Sequence, residues 1–432
     1  MQPVYQEYIR FLNDNGCDTT WFRENTHWID NNLIKAFLPN GKIVSLYKLY
    51  VNDVLEVSLE KHKSNPGDVQ FETWAQTIQR MQPHIEEIEA ASIAKMKSFC
   101  VTQDRMIVNL NSTGKDSMVV TALATKAGLQ FETYFNVTTL DVAESNKMAN
   151  KLGLKKIFPE RKYGGFYQYI QAARDQQMIP SRLNRFCCQY FKERPTIAFF
   201  HEDSKILFLM GMRNQESQRR STYEDVWKND KWGSRDWIAL LPIREWTEFD
   251  VWLYILAYNL EINPKYKYGY DRVGCGIACP NYTKYTWVLD KYWYPKMYNR
   301  WRRILRDDFI KSNKWLIMNC TINEYITKAW SGGVFRSTPT DAAIHEFAEY
   351  SGLQIDVAKR YFNRYCANGC LDTRRNPKRI KSKEVLAMNM KMFGRATDHF
   401  LCKKCLMKEL GWDDAQWKSH VRGFKLQGCS LF

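Results

Sequence analysis

The feature that most constrains the fold of this 432-residue chain is a change of rhythm after Arg105. From there short apolar runs alternate with segments of helical pattern, such as SMVVTALATKAG and AESNKMANKLG. The apolar runs are RMIVNL, QFETYFNV, KKIF and KILFLMG. Strands that alternate with helices indicate an α/β fold with a doubly wound, mostly parallel sheet. Ligands of such sheets bind at the carboxyl ends of the strands, so we expect a site in the loops there.

Smaller modules are predicted on both sides of this sheet. On the N-terminal side, Asn40-Gly41 separates two apolar runs in LIKAFLPNGKIVSLYKLYV, as in a β-hairpin. An amphipathic helix is predicted from about Pro83 to Phe99, and TDAAIHEFAEYSGLQIDVAKRYFNRYC predicts two helices around Ser351-Gly352. The predicted domains are a small α+β module at 1–82, the α/β domain at 83–329 and a helical, basic module at 330–432.

The charge of the chain favours anionic partners. The formal net charge is +16 and the pI is about 9.2, so nucleic acid, nucleotides and acidic membrane surfaces all attract it. No apolar stretch approaches the roughly 18 to 20 residues that a membrane span requires, and no apolar leader follows Met1. We therefore expect a cytoplasmic protein without membrane association.

The stretch LNSTGKDSMVV, residues 110–120, places Gly114-Lys115 between hydroxyl residues at the end of a predicted strand. A strand followed by such a loop and a helix directs backbone N–H groups, hydroxyls and an ammonium group at one point, which favours an anion. The Walker pattern requires a glycine where this chain has Asn109, so the loop is not a conventional P-loop. Taken alone, a Gly-Lys turn is more often a solvated loop.

Five further segments follow NSTGKDS in a fixed order. They are YFNVTTLDVAES, NRFCCQYFKERP, LMGMRNQESQRRS, LPIREWTEFDVWLYI and NPKYKYGYDRVGCGIACP. Together the six resemble the phosphoadenosine phosphosulfate (PAPS) reductase family of the ATP pyrophosphatase superfamily, whose pyrophosphate loop (PP-loop) has the pattern SGGKDS. The resemblance covers about residues 85–285. It implies an adenine nucleotide alpha hydrolase-like fold that binds ATP, PAPS or adenosine phosphosulfate (APS), with Mg²⁺.

The resemblance also assigns roles to individual residues. Lys115 and Asp116 are the expected catalytic residues of the loop, and Asp116 also has a position from which it could cap the following helix. The residues expected to bind the nucleotide are Ser112, Thr113, Gly114, Lys115, Ser117, Asn136, Arg213, Arg219 and Arg220. The three arginines belong to a loop in which guanidinium groups match phosphate oxygens. The alternative is a solvated basic loop.

Two positions depart from the family pattern. Thr113 replaces a glycine of the loop, and its side chain is expected to narrow the approach to phosphate, so that a glycine there would tighten nucleotide binding. Asn136 stands where the family commonly has an aspartate that contacts the nucleotide or magnesium.

Eight of the 12 cysteines form two sets. Cys187, Cys188, Cys275 and Cys279 resemble the two-plus-two arrangement of iron–sulfur members of the family and imply a [4Fe-4S] cluster, although Cys275 and Cys279 are spaced C-x3-C rather than C-x2-C. The alternative is that some of them are buried thiols. Cys366, Cys370, Cys402 and Cys405 have the paired spacing of a structural zinc site, with His399 near enough to replace a ligand or to lie beside the ligands. The alternative is that these cysteines are free thiols.

The C-terminal module has features of nucleic-acid binding. EFAEYSGLQIDVAKRYF fits a helix-turn-helix and equally an ordinary helical hairpin. Basic residues follow it: Arg374, Arg375, Lys378, Arg379, Lys381, Lys383, Lys391 and Arg395. Aromatic and basic residues alternate at 282–303, where core packing is the alternative to base stacking. These features predict a nucleic-acid partner.

Two classes of function fit these features. The first is an enzyme that either reduces a sulfonucleotide through a cysteine thiolate with a thioredoxin-like partner, or uses ATP and a sulfur-donor protein to place sulfur on nucleic acid. Reductases of the family carry their nucleophile in an ECGLH-type motif that is absent here, and the nearest candidate is Cys429, so sulfur transfer is slightly preferred. The alternative is a nucleic-acid-binding regulatory protein that senses a nucleotide.

Overall fold

The structure is a computed structural model that describes residues 1–172, 179–182, 184–327, 329–331, 338–362, 364–372, 375, 378–394, 397, 399–427 and 429, with only the backbone at Ile317 and Lys383. Its contacts divide the chain into two units. The larger consists of Met1–Ala173 and Arg182–Asn299, and the smaller of Arg174–Ser181 and Arg300–Phe432. The predicted module at 1–82 and most of the predicted domain at 83–329 therefore lie in one unit, which ends at Asn299.

An antiparallel sheet opens the larger unit. Its strands, in spatial and sequence order, are β1 (Gln2–Pro3), β2 (His27–Asp30), β3 (Leu33–Phe37), β4 (Ile43–Val51) and β5 (Val57–Lys61), with helix α1 (Gln6–Asp14) after β1. The predicted hairpin is confirmed: Phe37 pairs with Ile43, and Gly41 lies between them with φ +78°. Trp28 and Phe37 of this sheet belong to the same buried core as Trp252, which explains why the N-terminal module is not a separate unit.

Helix α2 (Trp74–Cys100) begins earlier than the sequence predicts. Thr73 caps it: its Oγ1 accepts from the Gln76 N–H at 3.3 Å, and the Gln76 side chain accepts from the Thr73 N–H at 2.8 Å. Pro83 therefore lies inside the helix instead of opening it. An internal proline costs a helix about 3 kcal/mol, and the buried face that includes Trp74 and Ile85 offsets that cost.

A second sheet of six strands is the centre of the larger unit. The strands are β6 (Met106–Leu110), β7 (Glu132–Asn136), β8 (Lys155–Ile157), β9 (Ile206–Leu209), β10 (Val226–Trp227) and β11 (Trp237–Leu240), in the spatial order β10-β11-β9-β6-β7-β8. All neighbours are parallel except the edge strand β10, which confirms the mostly parallel sheet. The four predicted apolar runs became β6 to β9.

Strand β9 of this sheet is completely buried. Helices lie between and after the strands of the sheet along the chain. They are α3 (Lys115–Lys126), α4 (Ala143–Lys151), α5 (Phe166–Ala172), α6 (Phe186–Cys188), α7 (Arg194–Phe199), α8 (Glu248–Ala257), α9 (Pro264–Lys267) and α10 (Lys284–Trp293). Residues of α2, α3 and α8 form one buried cluster with Leu207 and Leu209, while Phe208 belongs to a second cluster with Trp232 and Trp237. The α/β class predicted from the sequence is therefore confirmed.

The smaller unit is helical where the structure describes it. After α11 (Pro295–Lys311), which begins in the larger unit, its helices are α12 (Lys314–Met318), α13 (Ile322–Thr327), α14 (Asp341–Ser351), α15 (Ile355–Phe362), α16 (Lys383–Phe393), α17 (Lys403–Leu410) and α18 (Asp414–Leu426). Gly352 ends α14 with φ +66°, as the predicted helix pair requires. Within the described ranges, no helix has the length and apolar character of a membrane span.

Candidate functional site

The loop between β6 and α3 gathers hydroxyl groups at the first turn of a helix. Ser112 is exposed, and its Oγ lies 3.5 Å from the Oγ of Ser117. The Ser117 hydroxyl donates to the Gly114 carbonyl at 2.8 Å. A Cβ at Gly114 would lie 3.2 Å from the Ser112 Oγ, so a side chain there would crowd the loop. The first N–H groups of a helix have no partner within it, which makes this end suitable for an anion.

Thr113 takes the conformation that the family's glycine would adopt easily. Its φ is +59°, a region that β-branched residues rarely occupy. The side chain is buried, and its Oγ1 accepts from Asn263 Nδ2 at 3.0 Å, while the Thr113 N–H donates to Asn111 Oδ1 at 2.8 Å. Because the side chain points into the protein, the steric reason for expecting it to narrow the approach to phosphate is lost.

Lys115 opens α3 and is almost completely buried. Its Nζ lies 3.3 Å from Glu248 Oε1, 3.5 Å from Asp116 Oδ2 and 3.3 Å from the Asp271 carbonyl. Burial favours the neutral amine, but the carboxylates of Asp116 and Glu248 outweigh burial and raise the pKa of Lys115. Lys115 is therefore positively charged.

Asp116 joins this lysine to the arginine loop. Its Oδ1 accepts from Arg213 Nε at 2.6 Å, and Arg213 is as buried as Lys115. Burial alone would raise the pKa of Asp116, but Lys115 and Arg213 lower it, so the carboxylate is ionised. The expected capping role is wrong: the N-cap of α3 is Gly114, and Asp116 lies in the first turn, where Arg213 binds its side chain.

The other two predicted arginines lie apart from these contacts. Arg219 is exposed, and Arg220 pairs with Glu216 in the same loop. The loop meets the first turn of α3 at Arg213, which binds Asp116, and at Gly211, where an added Cβ would lie 2.8 Å from the Asp116 backbone. The close approach at Gly211 keeps β9 and α3 together at the carboxyl ends of the strands.

Asn136, at the end of β7, is engaged with a neighbouring helix. Its Nδ2 donates to Thr196 Oγ1 of α7 at 3.0 Å. The first acidic residue after β7 in the sequence is Asp141, whose carboxylate accepts from the Thr138 N–H at 2.6 Å. Burial raises the pKa of Asp141. The amide at 136 thus fixes α7 against the strand.

The first cysteine set surrounds a lysine. Lys192 lies in a π-helical turn that follows Cys187-Cys188, and such turns are frequent at functional sites. The thiols of Cys275 and Cys188 are among the groups that raise the pKa of Lys192, so they lie within its electrostatic reach. Three of the four cysteines, Cys187, Cys275 and Cys279, are buried. The structure therefore brings both predicted pairs to one place.

A glycine holds the second pair against the sheet. Gly276 has φ +98°, and a Cβ there would lie 2.1 Å from the carbonyl oxygen of Leu140, in the loop after β7. Only glycine permits this approach. The turn that carries Cys275 and Cys279 is thereby packed on the carboxyl end of the parallel sheet, the same edge at which the 112–117 loop lies.

The second cysteine set lies in the smaller unit. The Sγ atoms of Cys366, Cys370, Cys402 and Cys405 are all within 4.8 Å of one another. His399 is exposed and packs its ring edge-on to Phe393, with the centroids 6.0 Å apart, and it is not a member of this group.

Several residues of the site were missed by the sequence analysis. The Tyr266 hydroxyl accepts from the Lys115 backbone N–H at 2.9 Å, and Tyr266 is buried. Glu248 pairs with Lys115, and Lys192 lies among the thiols. Tyr266 lies in the NPKYKYGY segment and Lys192 four residues after Cys188, so both positions were within motifs already identified. No local signal distinguished Glu248 from other acidic residues at the start of a helix.

Comparison with known proteins identifies the same part of the chain. A family model for the phosphoadenosine phosphosulfate reductase domain matches residues 106–281. Two uncharacterized proteins of Methanocaldococcus jannaschii, MJ0973 and MJ0066, are 27% and 28% identical, over 55% and 53% of this chain and 58% and 47% of their own lengths. The chain thus spans about half the length of these relatives.

Other relatives have descriptive names. An adenosine 5'-phosphosulfate reductase of Geobacillus sp. is 25% identical over 48% of this chain and 86% of its own length. The crystal structure of a PAPS reductase from Candida auris in a phosphate complex is 16% identical, covers 44% of this chain and 93% of that chain, and has a TM-score of 0.34. Residues 106–281, which contain the six-stranded sheet and its loops, therefore match the phosphoadenosine phosphosulfate reductase domain family.

Proposed function

We propose that this protein is an enzyme that binds an adenine nucleotide at the 112–117 loop and acts in sulfur chemistry. The observation that carries the proposal is the convergence of the Ser112 and Ser117 hydroxyls with Lys115 and Arg213 at the first turn of α3. Relatives named adenosine 5'-phosphosulfate reductase and sulfate adenylyltransferase subunit 2 handle compounds of this class by name. The phosphate or sulfate groups would lie against the loop, with Mg²⁺ as a counter-ion.

The loop residues have distinct tasks in this proposal. Lys115 and Arg213 supply positive charge, while Asp116 keeps both at fixed positions. Glu248 balances Lys115 when no ligand is bound, at a distance of 3.3 Å. A phosphate group would compete with Glu248 for the ammonium, and Ser112 would donate from the exposed side of the loop.

The first cysteine set fits an iron–sulfur cluster. Its donors are four thiols, the ligands that such clusters require, and Lys192 supplies a positive charge beside them. The thiols of Cys187 and Cys188 are hydrogen-bonded to each other, as are those of Cys275 and Cys279, so the set consists of two close pairs. We propose that Cys187, Cys188, Cys275 and Cys279 hold a [4Fe-4S] cluster. When bound, it would supply redox or sulfur-binding chemistry next to the nucleotide.

The proposal allows two reactions, which differ in the group that receives the sulfur: a cysteine thiolate in a reductase, and nucleic acid in ATP-dependent sulfur transfer. Cys429, the candidate nucleophile of a reductase, follows α18 in the smaller unit, where its N–H donates to the Phe424 carbonyl at 3.0 Å. Transfer to nucleic acid is supported by basic side chains on the same helix: Lys418, Arg422 and Lys425 are exposed and line a depression of about 440 Å³ with Trp417. Arg374 and Arg395 of the predicted basic stretch lie outside the described residues.

One set of assays separates the candidate functions. Pyrophosphate release from ATP would be measured with and without DNA, and sulfite release from APS and PAPS with thioredoxin. DNA-stimulated pyrophosphate release supports sulfur transfer, and sulfite release supports a reductase. Nucleotide binding without turnover of any substrate supports the regulatory sensor instead. A chain that binds none of these nucleotides would contradict the proposal altogether.

Removing the hydroxyl of Tyr266 is expected to tighten nucleotide binding. In the wild type the Lys115 N–H donates to the Tyr266 hydroxyl at 2.9 Å, and Tyr266→Phe leaves this N–H free. A hydrogen bond of about 0.5 to 1.5 kcal/mol becomes available to phosphate, which corresponds to a roughly 2- to 10-fold gain in affinity. Isothermal titration calorimetry with a non-hydrolysable ATP analogue and with APS would measure it.

The matched control for that variant is Tyr258→Phe. It also removes a hydroxyl, one that donates to Glu89 Oε2 at 2.6 Å on α2. Unchanged affinity is expected in the control. Weaker binding in Tyr266→Phe would mean that the hydroxyl contacts the nucleotide itself.

Replacing Thr113 is expected to leave the affinity for nucleotide nearly unchanged. Thr113→Gly relieves a left-handed backbone that costs a β-branched residue about 1 to 3 kcal/mol, but loses the bond from Asn263. We therefore expect an affinity within about threefold and a free energy of unfolding within about 1 kcal/mol of the wild type. Thr113→Ser, which retains the hydroxyl, is the control. A gain in affinity above about tenfold in the glycine variant would restore the steric argument.

A further inference from the structure

The second cysteine set has the dimensions of a mononuclear metal site. Cys370 Sγ lies 3.3 Å from Cys405 Sγ and 3.9 Å from Cys402 Sγ, and all four sulfurs lie within 4.8 Å of one another. Zinc–sulfur bonds of about 2.3 Å in a tetrahedron place the sulfurs roughly 3.8 Å apart. In the described residues this is the one group of three or more Cys, His, Asp or Glu ligand atoms with such spacing.

The backbone shapes the first pair of cysteines into a tight loop. The Cys366 N–H donates to the Lys378 carbonyl at 3.0 Å, and the Lys378 N–H donates to the Cys370 carbonyl at 2.7 Å. Between the two cysteines, Gly369 has φ +63° and its N–H donates to the Cys366 carbonyl at 3.0 Å. Both thiols therefore project from one short, hydrogen-bonded turn.

The second pair opens a helix. Cys402 is the N-cap of α17, and Cys405 lies in its first turn. Buried Asn389 fixes the preceding residue: its Oδ1 accepts from the Leu401 N–H at 2.7 Å, and its Nδ2 donates to the Leu401 carbonyl at 2.9 Å. Such bonds hold ligands in position before a metal arrives.

Two backbone contacts join the pairs to each other. The Ala367 N–H donates to the Phe400 carbonyl at 2.8 Å. The Cys402 N–H donates to the sulfur of Cys366 at 3.3 Å, a contact that stabilises a thiolate. The four sulfurs are thus brought together by hydrogen bonds of the surrounding backbone.

We propose that Cys366, Cys370, Cys402 and Cys405 bind one Zn²⁺ in a closed, structural site. Four protein thiolates leave no open coordination position, so the ion has no catalytic role. The narrow sulfur spacing suits one ion rather than a cluster. The zinc would connect the turn of Cys366 and Cys370 to α17. The proposal is independent of the proposed enzymatic function.

Metal analysis of the full chain, prepared without a histidine tag under anaerobic conditions, tests the proposal. We expect about one zinc per chain in the wild type and less than a tenth of that in Cys402→Ser. The matched control is Cys429→Ser, which removes a thiol from the same unit and should retain the zinc. Cys275→Ser should retain it as well.

A second measurement covers the case in which Cys402→Ser does not fold. Titration of the wild-type thiols with a mercurial should release the zinc, detected with a chromogenic chelator, and cobalt should bind in its place with the visible bands of tetrahedral thiolate coordination. Two results would overturn the proposal. One is a zinc-free chain with a Cys370–Cys405 disulfide found by mass spectrometry. The other is iron that disappears in Cys402→Ser.

Discussion

Replacing Asp116 with asparagine is expected to lower the free energy of unfolding of the larger unit by about 3 to 5 kcal/mol. The Asp116 carboxylate accepts from Arg213 Nε at 2.6 Å and lies 3.5 Å from Lys115 Nζ, and both cations are buried. A neutral amide leaves the buried Arg213 without this carboxylate and leaves Lys115 with Glu248 as its remaining ion-pair partner. Chemical denaturation at neutral pH would measure the loss. Asp236→Asn is the control, because Asp236 is exposed and binds Arg105 at the surface, so its loss should cost less than about 1 kcal/mol.

The pH dependence of this variant supplies a second test. Lys115 and Arg213 lower the pKa of Asp116 in the folded protein, whereas an unfolded aspartate has a pKa near 3.9. The contribution of Asp116 to stability is thus complete above about pH 4 and decreases as the pH falls towards the folded pKa. The difference between wild type and Asp116→Asn should shrink in the same range. Equal stabilities at neutral pH would show that Lys115 and Arg213 do not depend on this carboxylate.

Cys275→Ser is expected to lose nearly all protein-bound iron. Wild-type protein purified without oxygen should contain about four iron atoms per chain and absorb broadly in the visible range. The variant should keep less than a tenth of both signals, since Cys275 is one of four proposed ligands and lies near Lys192. Iron analysis and absorption spectroscopy on the same samples would measure this.

The control for the iron experiment is Cys100→Ser, which alters a buried thiol at the end of α2. It should retain the iron. Iron that stays in Cys275→Ser and disappears in Cys402→Ser would assign it to the other set. Iron-free wild-type protein would contradict the cluster while leaving the nucleotide proposal testable by binding measurements alone.

The sequence predicted the central sheet well because of how its strands are buried. Strands β6 and β9 lie inside the sheet, so their residues form nearly continuous apolar runs that the pattern identifies. Strand β10 has two residues, too few for any periodicity. Proline is common at the first position of a helix, so the sequence predicted that α2 begins near Pro83. The hydrogen bonds that begin the helix instead involve Thr73 and Gln76.

The motifs of the candidate site could be predicted from the sequence, whereas the contacts between their side chains could not. The loop residues and both cysteine sets could be proposed from the sequence because each motif is short and local, and their roles stay predictions. The ion pair of Asp116 with Arg213 was not predicted because the two residues are 97 positions apart, and the contact of Tyr266 with Lys115 spans 151 positions. Such contacts depend on which strands become neighbours, and no local pattern contains that information. The left-handed backbone at Thr113 was also hidden, since threonine rarely adopts it.

The hydroxyl of Tyr266 occupies the Lys115 N–H, a group that the proposed nucleotide would also need. Any anion that requires the Lys115 N–H must first displace this hydroxyl, so its apparent affinity is its intrinsic affinity multiplied by the fraction of molecules in which the hydroxyl has moved. Free phosphate and sulfate have few other contacts to offset that reduction. A nucleotide also brings a base and a sugar. The tyrosine lowers the affinity of every such anion by the same factor and sets no preference by itself, so the base and sugar of the proposed nucleotide would have to supply the contacts that offset the loss.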